Sequence, residues 1–222
     1  MFINKYNLTL KENIFLAKKQ SIDLIYNSAK LEGCNVTFPE TQTILEGINV
    51  GKVSLDDIQK ILNLRDAWKY LLNSIEEPLN LDYIKKVHFI IGRNEALEWG
   101  VLRNGTVSIT GVSYIPPVPD EKEIEETLIL LMKSSTSDTY KAIRYFLWGC
   151  RQQFFWDCNK RTSTLIANKI LISKGAGILS IPEKHLLKFN KLLSNFYETN
   201  DYEKISVFLY ENCIHGLNID RK

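Results

Sequence analysis

Helical periodicity runs along almost the whole chain and fails once, over 101–114, which restricts the fold to a helical bundle carrying one extended excursion. Over 13–31 the apolar residues Ile14, Phe15, Ala17, Ile22, Leu24, Ile25 and Leu31 recur at helical spacing until Gly33 stops the run, and the pattern allows a break at Gln20-Ser21. Thr37-Phe38-Pro39-Glu40 opens a helix over 41–48 by its threonine cap and early proline. Ser54 caps another, with Asp57 three residues on, and its stripe of Ile58, Ile61, Leu62, Leu64, Ala67, Trp68, Leu71 and Leu72 is core material. Further helices are expected over 81–91, ending at Gly92, and over 120–133, 139–152, 159–174, 183–196 and 202–214. Within the interruption Val107, Ile109 and Val112 approach a period of two between Asn104-Gly105 and Pro116-Pro117, which predicts a hairpin turning at Asn104-Gly105. No repeat, linker or low-complexity stretch divides the 222 residues, so a single mainly helical domain over 1–222 is expected.

The charge balance narrows the partners. Twenty-eight basic and twenty-six acidic residues, net charge +2, are interleaved, so phosphate recognition would be a focused site and a polynucleotide partner is not expected. Cys34, Cys150, Cys158 and Cys213 share no C-x-x-C spacing and no histidine at a metal-ligand interval, which disfavours zinc. No run of apolar residues is long enough for a membrane span and no leader-like segment opens the chain, so a cytoplasmic protein with reduced thiols and no membrane partner is expected.

The chemistry concentrates at 153–164, Gln-Phe-Phe-Trp-Asp-Cys-Asn-Lys-Arg-Thr-Ser-Thr, where a helix begins. Asp157 can hold a divalent cation through oxygen, Asn159 can donate to a phosphate, and Lys160 and Arg161 can neutralise further charge beside free helix N-terminal amides. The plain alternative is a capped helix start in which Asp157 or Asn159 serves only as the cap. The segment resembles the signature of the Fic family (filamentation induced by cAMP), His-x-Phe-x-Asp/Glu-Gly-Asn-Gly/Lys-Arg, with Phe155, Asp157, Asn159, Lys160 and Arg161 on pattern. Upstream, Asn27-Ser28-Ala29-Lys30-Leu31-Glu32-Gly33 resembles that family's N-terminal inhibitory motif, Ser/Thr-x-x-x-Glu-Gly/Asn, within a helical stretch over 13–33. Between them, Trp99-Gly100-Val101-Leu102-Arg103, Val107-Ser108-Ile109-Thr110-Gly111 and Tyr114-Ile115-Pro116-Pro117 are similar to the family's flap, about 99–117.

The resemblance implies a mainly α Fic fold, a helical bundle with a β-hairpin flap. It implies AMP transfer from ATP, with Mg²⁺, to a Ser, Thr or Tyr hydroxyl of a target protein docked along Ile109 and Thr110 of the flap. In those roles Asp157 would hold the metal, Asn159 would contact the α-phosphate, and Lys160 and Arg161 would hold the outer phosphates. Ser28, Glu32 and Gly33 would form the regulatory element.

Three residues depart from the pattern. Gln153 stands where the family has its histidine; a carboxamide can orient a hydroxyl but cannot take its proton, so the general-base contribution should be lost. Cys158 stands at a glycine, which predicts a strained loop, and beside cations it is also a candidate reactive thiol of lowered pKa. Thr164 replaces a second arginine, so Glu32 lacks its usual partner, leaving Lys160 or Arg161 within reach. His88, His185 and His215 fall in apolar helical runs and read as packed or capping histidines, with His88 beside the flap. Two classes therefore stand: a protein adenylyltransferase with impaired transfer, and a catalytically inactive Fic-fold module that binds nucleotide or protein.

Overall fold

The computed structural model describes residues 2–219. The chain opens with α1 (Leu10–Lys19), started by a Thr9–Glu12 capping box, and α2 (Ser21–Leu31), separated from it by Gln20 alone. α3 (Phe38–Leu45) starts at the Thr37–Glu40 box with proline in its first turn, and α4 (Leu55–Asn73) starts at Ser54, which accepts from Asp57 N–H. α5 (Leu81–Ile91), α6 (Glu121–Lys133) and α7 (Asp138–Gln152) are capped by Asn80, Asp120 and Ser137. α8 (Asn159–Ser173) follows; then come a 3-10 turn (Glu183–His185), α9 (Leu186–Thr199) and α10 (Glu203–Asn212). Two short antiparallel strands, β1 (Ile178–Leu179) and β2 (Ile214–His215), pair Ile178 with His215 and Leu179 with Ile214.

α8 is the axis of the bundle. It packs on α7, α5, α4 and α1 and is buried on all faces, polar residues included. Those polar groups are matched rather than stranded: Asn168 donates to the carbonyls of Thr164 and Leu179 and accepts from Leu179 N–H, while Lys169 Nζ donates to the carbonyls of Ser74 and Ile75. Helix periodicity alone cannot separate this arrangement from a surface helix, because the buried face is wider than its apolar stripe.

α7 reaches α8 most closely at Gly149, where an added Cβ would lie 2.4 Å from Ser163 Oγ. Gly149→Val is therefore expected to cost roughly 2–3 kcal/mol by overpacking, read from urea melts, and Ser163→Ala in the same chain should recover part of that loss. Gly175 plays the corresponding part for the N-terminal segment. It holds φ +67°, its carbonyl accepts from Leu8 N–H at 2.7 Å, and any side chain there would run into the Leu8 carbonyl.

Several expected boundaries move. The 13–31 helix is two helices, 41–48 begins earlier and ends by Leu45, and 183–196 begins as a 3-10 turn. The flap differs more. Over 103–110 and again over 111–117 exposure alternates residue by residue, as in a strand, but no strand ladder forms. The hydrogen-bonded turn lies at 109–112, where Val112 N–H donates to Ile109 O at 3.1 Å and Gly111 takes φ +77°, rather than at Asn104-Gly105. Side chains hold the excursion instead of a ladder. Ser113 donates from its backbone N–H and its hydroxyl to Glu198 on α9, and the Arg151 guanidinium lies 3.5 Å from the centre of the Tyr114 ring. No helix among the described residues is long and apolar enough to cross a membrane.

Candidate active-site groove

α7 gives way to α8 through residues 153–158, and the turn is made by two non-glycine residues in the left-handed region, Gln153 at φ 49° and Cys158 at φ 60°. Such backbone persists only where its surroundings hold it, and here Asn159 does so. Its Oδ1 accepts from Phe155 N–H at 2.9 Å, and its Nδ2 donates to Phe155 O at 2.8 Å and to Gln153 Oε1 at 3.1 Å. Asp157 Oδ1 accepts from Cys158 N–H, and Gln153 Nε2 donates to Cys150 O, closing the end of α7. The α8 start has no side-chain cap, so neither Asp157 nor Asn159 is the capping residue of the plain alternative.

Two buried side chains hang the loop on the rest of the protein. His88 stacks on Phe155 at 3.7 Å, accepts Gly100 N–H at Nδ1 (2.9 Å) and donates from Nε2 to Asp157 O (3.2 Å). These bonds require the neutral imidazole, and burial lowers its pKa to about 4. Unfolded, it would titrate near the ordinary 6.5. Above pH 6.5 both states are neutral. As pH falls from 6.5 to 4 only the unfolded chain gains the proton, so stability should drop by about 3 kcal/mol across that window, and His88→Gln should flatten the slope in acid-dependent melts.

Arg103, only 1% exposed, is the second anchor. It donates from Nε to Gln153 O (2.6 Å), from Nη1 to Gly105 O, and from Nη2 to the carbonyls of Pro116, Pro117 and Gln152. One guanidinium therefore fixes both ends of the flap to the end of α7. Among the described residues no carboxylate pairs with it.

Between flap and α8 lies an open groove of ≈ 360 Å³. Glu32, Ile109, Thr110, Gln153, Asp157, Asn159 and Lys160, all expected from the sequence, line it; Ser108 joins them, and Asn190, Leu193, Ser194 and Tyr197 of α9 form the opposite wall. The α9 residues recur at three- and four-residue spacing, a signal visible in the sequence that marks one helix face without naming its neighbour. Ser28 is buried one turn before Glu32, and Gly33 ends α2 at φ +77°; neither lines the groove.

Arg161 lies behind the groove rather than in it. It is 2% exposed, its Nη1 donates to both oxygens of Glu95 (2.9 and 2.8 Å), and its Nη2 donates to Cys158 Sγ (3.0 Å). Its Nε stands 3.9 Å from Glu32 Oε2. Lys160 Nζ is 3.7 Å from Glu32 Oε1 and donates to Leu31 O at 3.3 Å. Glu32 thus reaches both motif cations, as the sequence allowed. Thr164 is buried and spends its hydroxyl on Lys160 O.

Of the two readings of Cys158, structural and reactive, the geometry supports the structural one. Its thiol is buried, and desolvation raises its pKa to about 12 despite the nearby guanidinium, so it is a packed thiol and not an exposed reactive one. A divalent cation would find the one exposed carboxylate of Asp157, since no cluster of three metal-ligating side chains occurs among the described residues. That donor set fits Mg²⁺ delivered with a phosphate ligand and completed by water.

No family model matches the chain. It is similar to the protein adenylyltransferase Fic of Drosophila melanogaster, 28% identical over 193 residues that cover 80% of this chain and 38% of that protein. The corresponding protein of Drosophila virilis is 27% identical over 187 residues, with the same 80% and 38% coverage. The chain therefore spans well under half the length of these relatives. Among solved structures, a Fic domain containing signaling protein from Bacteroides thetaiotaomicron superposes with TM-score 0.75 at 18% identity, covering 92% of this chain and 85% of that one. Fic-1 of C. elegans (residues 134–508) superposes with TM-score 0.73 at 17% identity, covering 88% and 59%. The mainly helical fold expected from the sequence is the fold of these proteins.

Proposed function

We propose that this chain, which is similar to Fic adenylyltransferases and shares the fold of Fic-domain proteins, carries in its groove a nucleotide site of the adenylyltransferase type in which group transfer is impaired. The observation that carries this reading is the convergence, in one groove, of Asp157, Asn159, Lys160 and Gln153 with Glu32 on one side and the flap residues Ile109 and Thr110 on the other. ATP with Mg²⁺ would supply the AMP group and neutralise part of its charge. The protein's own part is to bind and place it: Asp157 offers the metal an oxygen, and the uncapped start of α8 and Lys160 face the phosphate. The alternating exposure of the flap, with no ladder partner, suits the addition of an extended target segment that presents a hydroxyl to the groove.

Gln153 is where such a reaction stalls. Its carboxamide is engaged at both ends, with Cys150 O and Asn159 Nδ2, and has no basic nitrogen to receive a hydroxyl proton. Asn159 likewise spends its amide hydrogens on Gln153 and Phe155, so its contribution to phosphate binding requires those bonds to open. The capture of Arg161 by Glu95 favours a second reading, a Fic-fold binding module with no transfer at all. Asp157→Ala separates a nucleotide site from a bare scaffold. Loss of the exposed metal-holding oxygen should weaken binding of ATP with Mg²⁺ at least tenfold in calorimetry, in a variant that still folds but melts somewhat lower because Cys158 N–H loses its acceptor.

A further inference from the structure

A second cavity of ≈ 360 Å³ opens where α1, α2, α3 and α4 meet, and no residue lines both it and the groove. Its walls follow from helix spacing. Ile22 and Ile25 stand three apart on α2, Trp68 and Leu72 four apart on α4, and Leu45, the last residue of α3, completes the apolar floor. Ile25 and Trp68 are buried, whereas Ile22, Leu45 and Leu72 stay half-buried around the opening. A concave apolar floor of this size lies at the lower end of the range for small organic ligands.

The charge around that floor has one sign. Lys18 near the end of α1, with Arg65 and Lys69 on α4, lines the cavity, and no carboxylate does. Arg65 is paired at 2.8 Å with Asp66, which also pairs with Arg93. Lys18 and Lys69 are exposed and form no ion pair among the described residues. Their stems can follow the apolar wall while the ammonium groups stay at the rim. Trp68 adds an independent signal. It is 4% exposed, and its indole N–H has no acceptor among the described residues. A buried donor without an acceptor is costly, and an oxygen carried by a ligand is the kind of partner that relieves it. A purely apolar guest would leave the two ammonium groups unanswered, a cation would meet like charge, and a bare anion would leave the floor uncovered.

We propose that this cavity is a second ligand site, taking a small amphiphile with an apolar chain and a terminal anion, of the class of a medium-chain carboxylate. The chain would cover Ile22, Ile25, Trp68 and Leu72, and the carboxylate would pair with Lys18 and Lys69. The site stands independently of the nucleotide reading. Calorimetric titration of the chain with octanoate tests it, beside octyltrimethylammonium, which keeps the tail and reverses the charge, and acetate, which keeps the charge and drops the tail. Octanoate is expected to bind saturably, about tenfold or more tightly than either. The double variant Lys18→Glu with Lys69→Glu, both at exposed positions, should weaken octanoate by about tenfold or more, and Asp157→Ala should leave it unchanged. No saturable octanoate binding, equal binding of the cationic amphiphile, or an unaltered affinity in the charge-reversed variant would overturn the proposal. So would loss of octanoate binding in Asp157→Ala, which would move the ligand to the groove. Vesicles of phosphatidylglycerol are the last arm: binding to them without binding of octanoate would make this face a membrane contact and overturn the proposal.

Discussion

Gln153→His is expected to raise AMP transfer to a protein hydroxyl by about 10²–10⁴-fold over the chain as it stands, the ordinary contribution of a positioned general base. The substitution suits the site. Gln153 occupies φ 49°, a region that histidine enters more readily than most residues, and it faces the groove beside Asp157 and the flap. An imidazole there titrates near neutrality, whereas the carboxamide does not. Self-modification with labelled ATP at saturating nucleotide reads the effect on kcat. Unchanged inactivity with nucleotide bound would show that more than the base is missing, and Arg161, withheld by Glu95, would then be the next group to release.

Arg103→Met should cost on the order of 4 kcal/mol of folding stability, among the larger effects a single substitution produces. Five carbonyls, of Gly105, Pro116, Pro117, Gln152 and Gln153, accept from this one buried guanidinium. Removing it strands several acceptors at once and unpins both ends of the flap from the left-handed turn at Gln153. Arg103→Lys should recover little, because an ammonium cannot span a fan of acceptors that a planar fork can. Urea midpoints of the two variants check the claim; a loss under 1 kcal/mol in Arg103→Met would mean that the flap is held elsewhere, by Glu198 and Arg151.

Local chemistry made much of the bundle legible. Thr9, Thr37, Ser54, Asn80, Asp120 and Ser137 cap their helices, and Leu81–Ile91 is the helix expected at that position. Much of the groove was legible for the same reason, because residues 153–160 are contiguous and the turn they make is set by their own backbone and by Asn159. What the sequence could not show is pairing across distance. Arg161 reads as a free cation until Glu95, 66 residues away, is folded against it. Arg103 reads as one flap residue among several until its carbonyl partners converge on it. Cys158 could be read as structural or as a reactive thiol beside cations because sequence carries no measure of desolvation, and desolvation decides its pKa. The flap alternates on either side of a turn at 109–112, yet no strand pairs with it among the described residues, so alternation produced extended backbone without a ladder.

The nucleotide groove itself is tested most directly by calorimetric titration of ATP with Mg²⁺ into the chain as it stands, beside Asp157→Ala. Saturable binding that weakens at least tenfold in the variant is the expected result. Dilution heat alone in both, from folded protein, would contradict the account and leave the flap and groove as a protein-binding surface without a nucleotide.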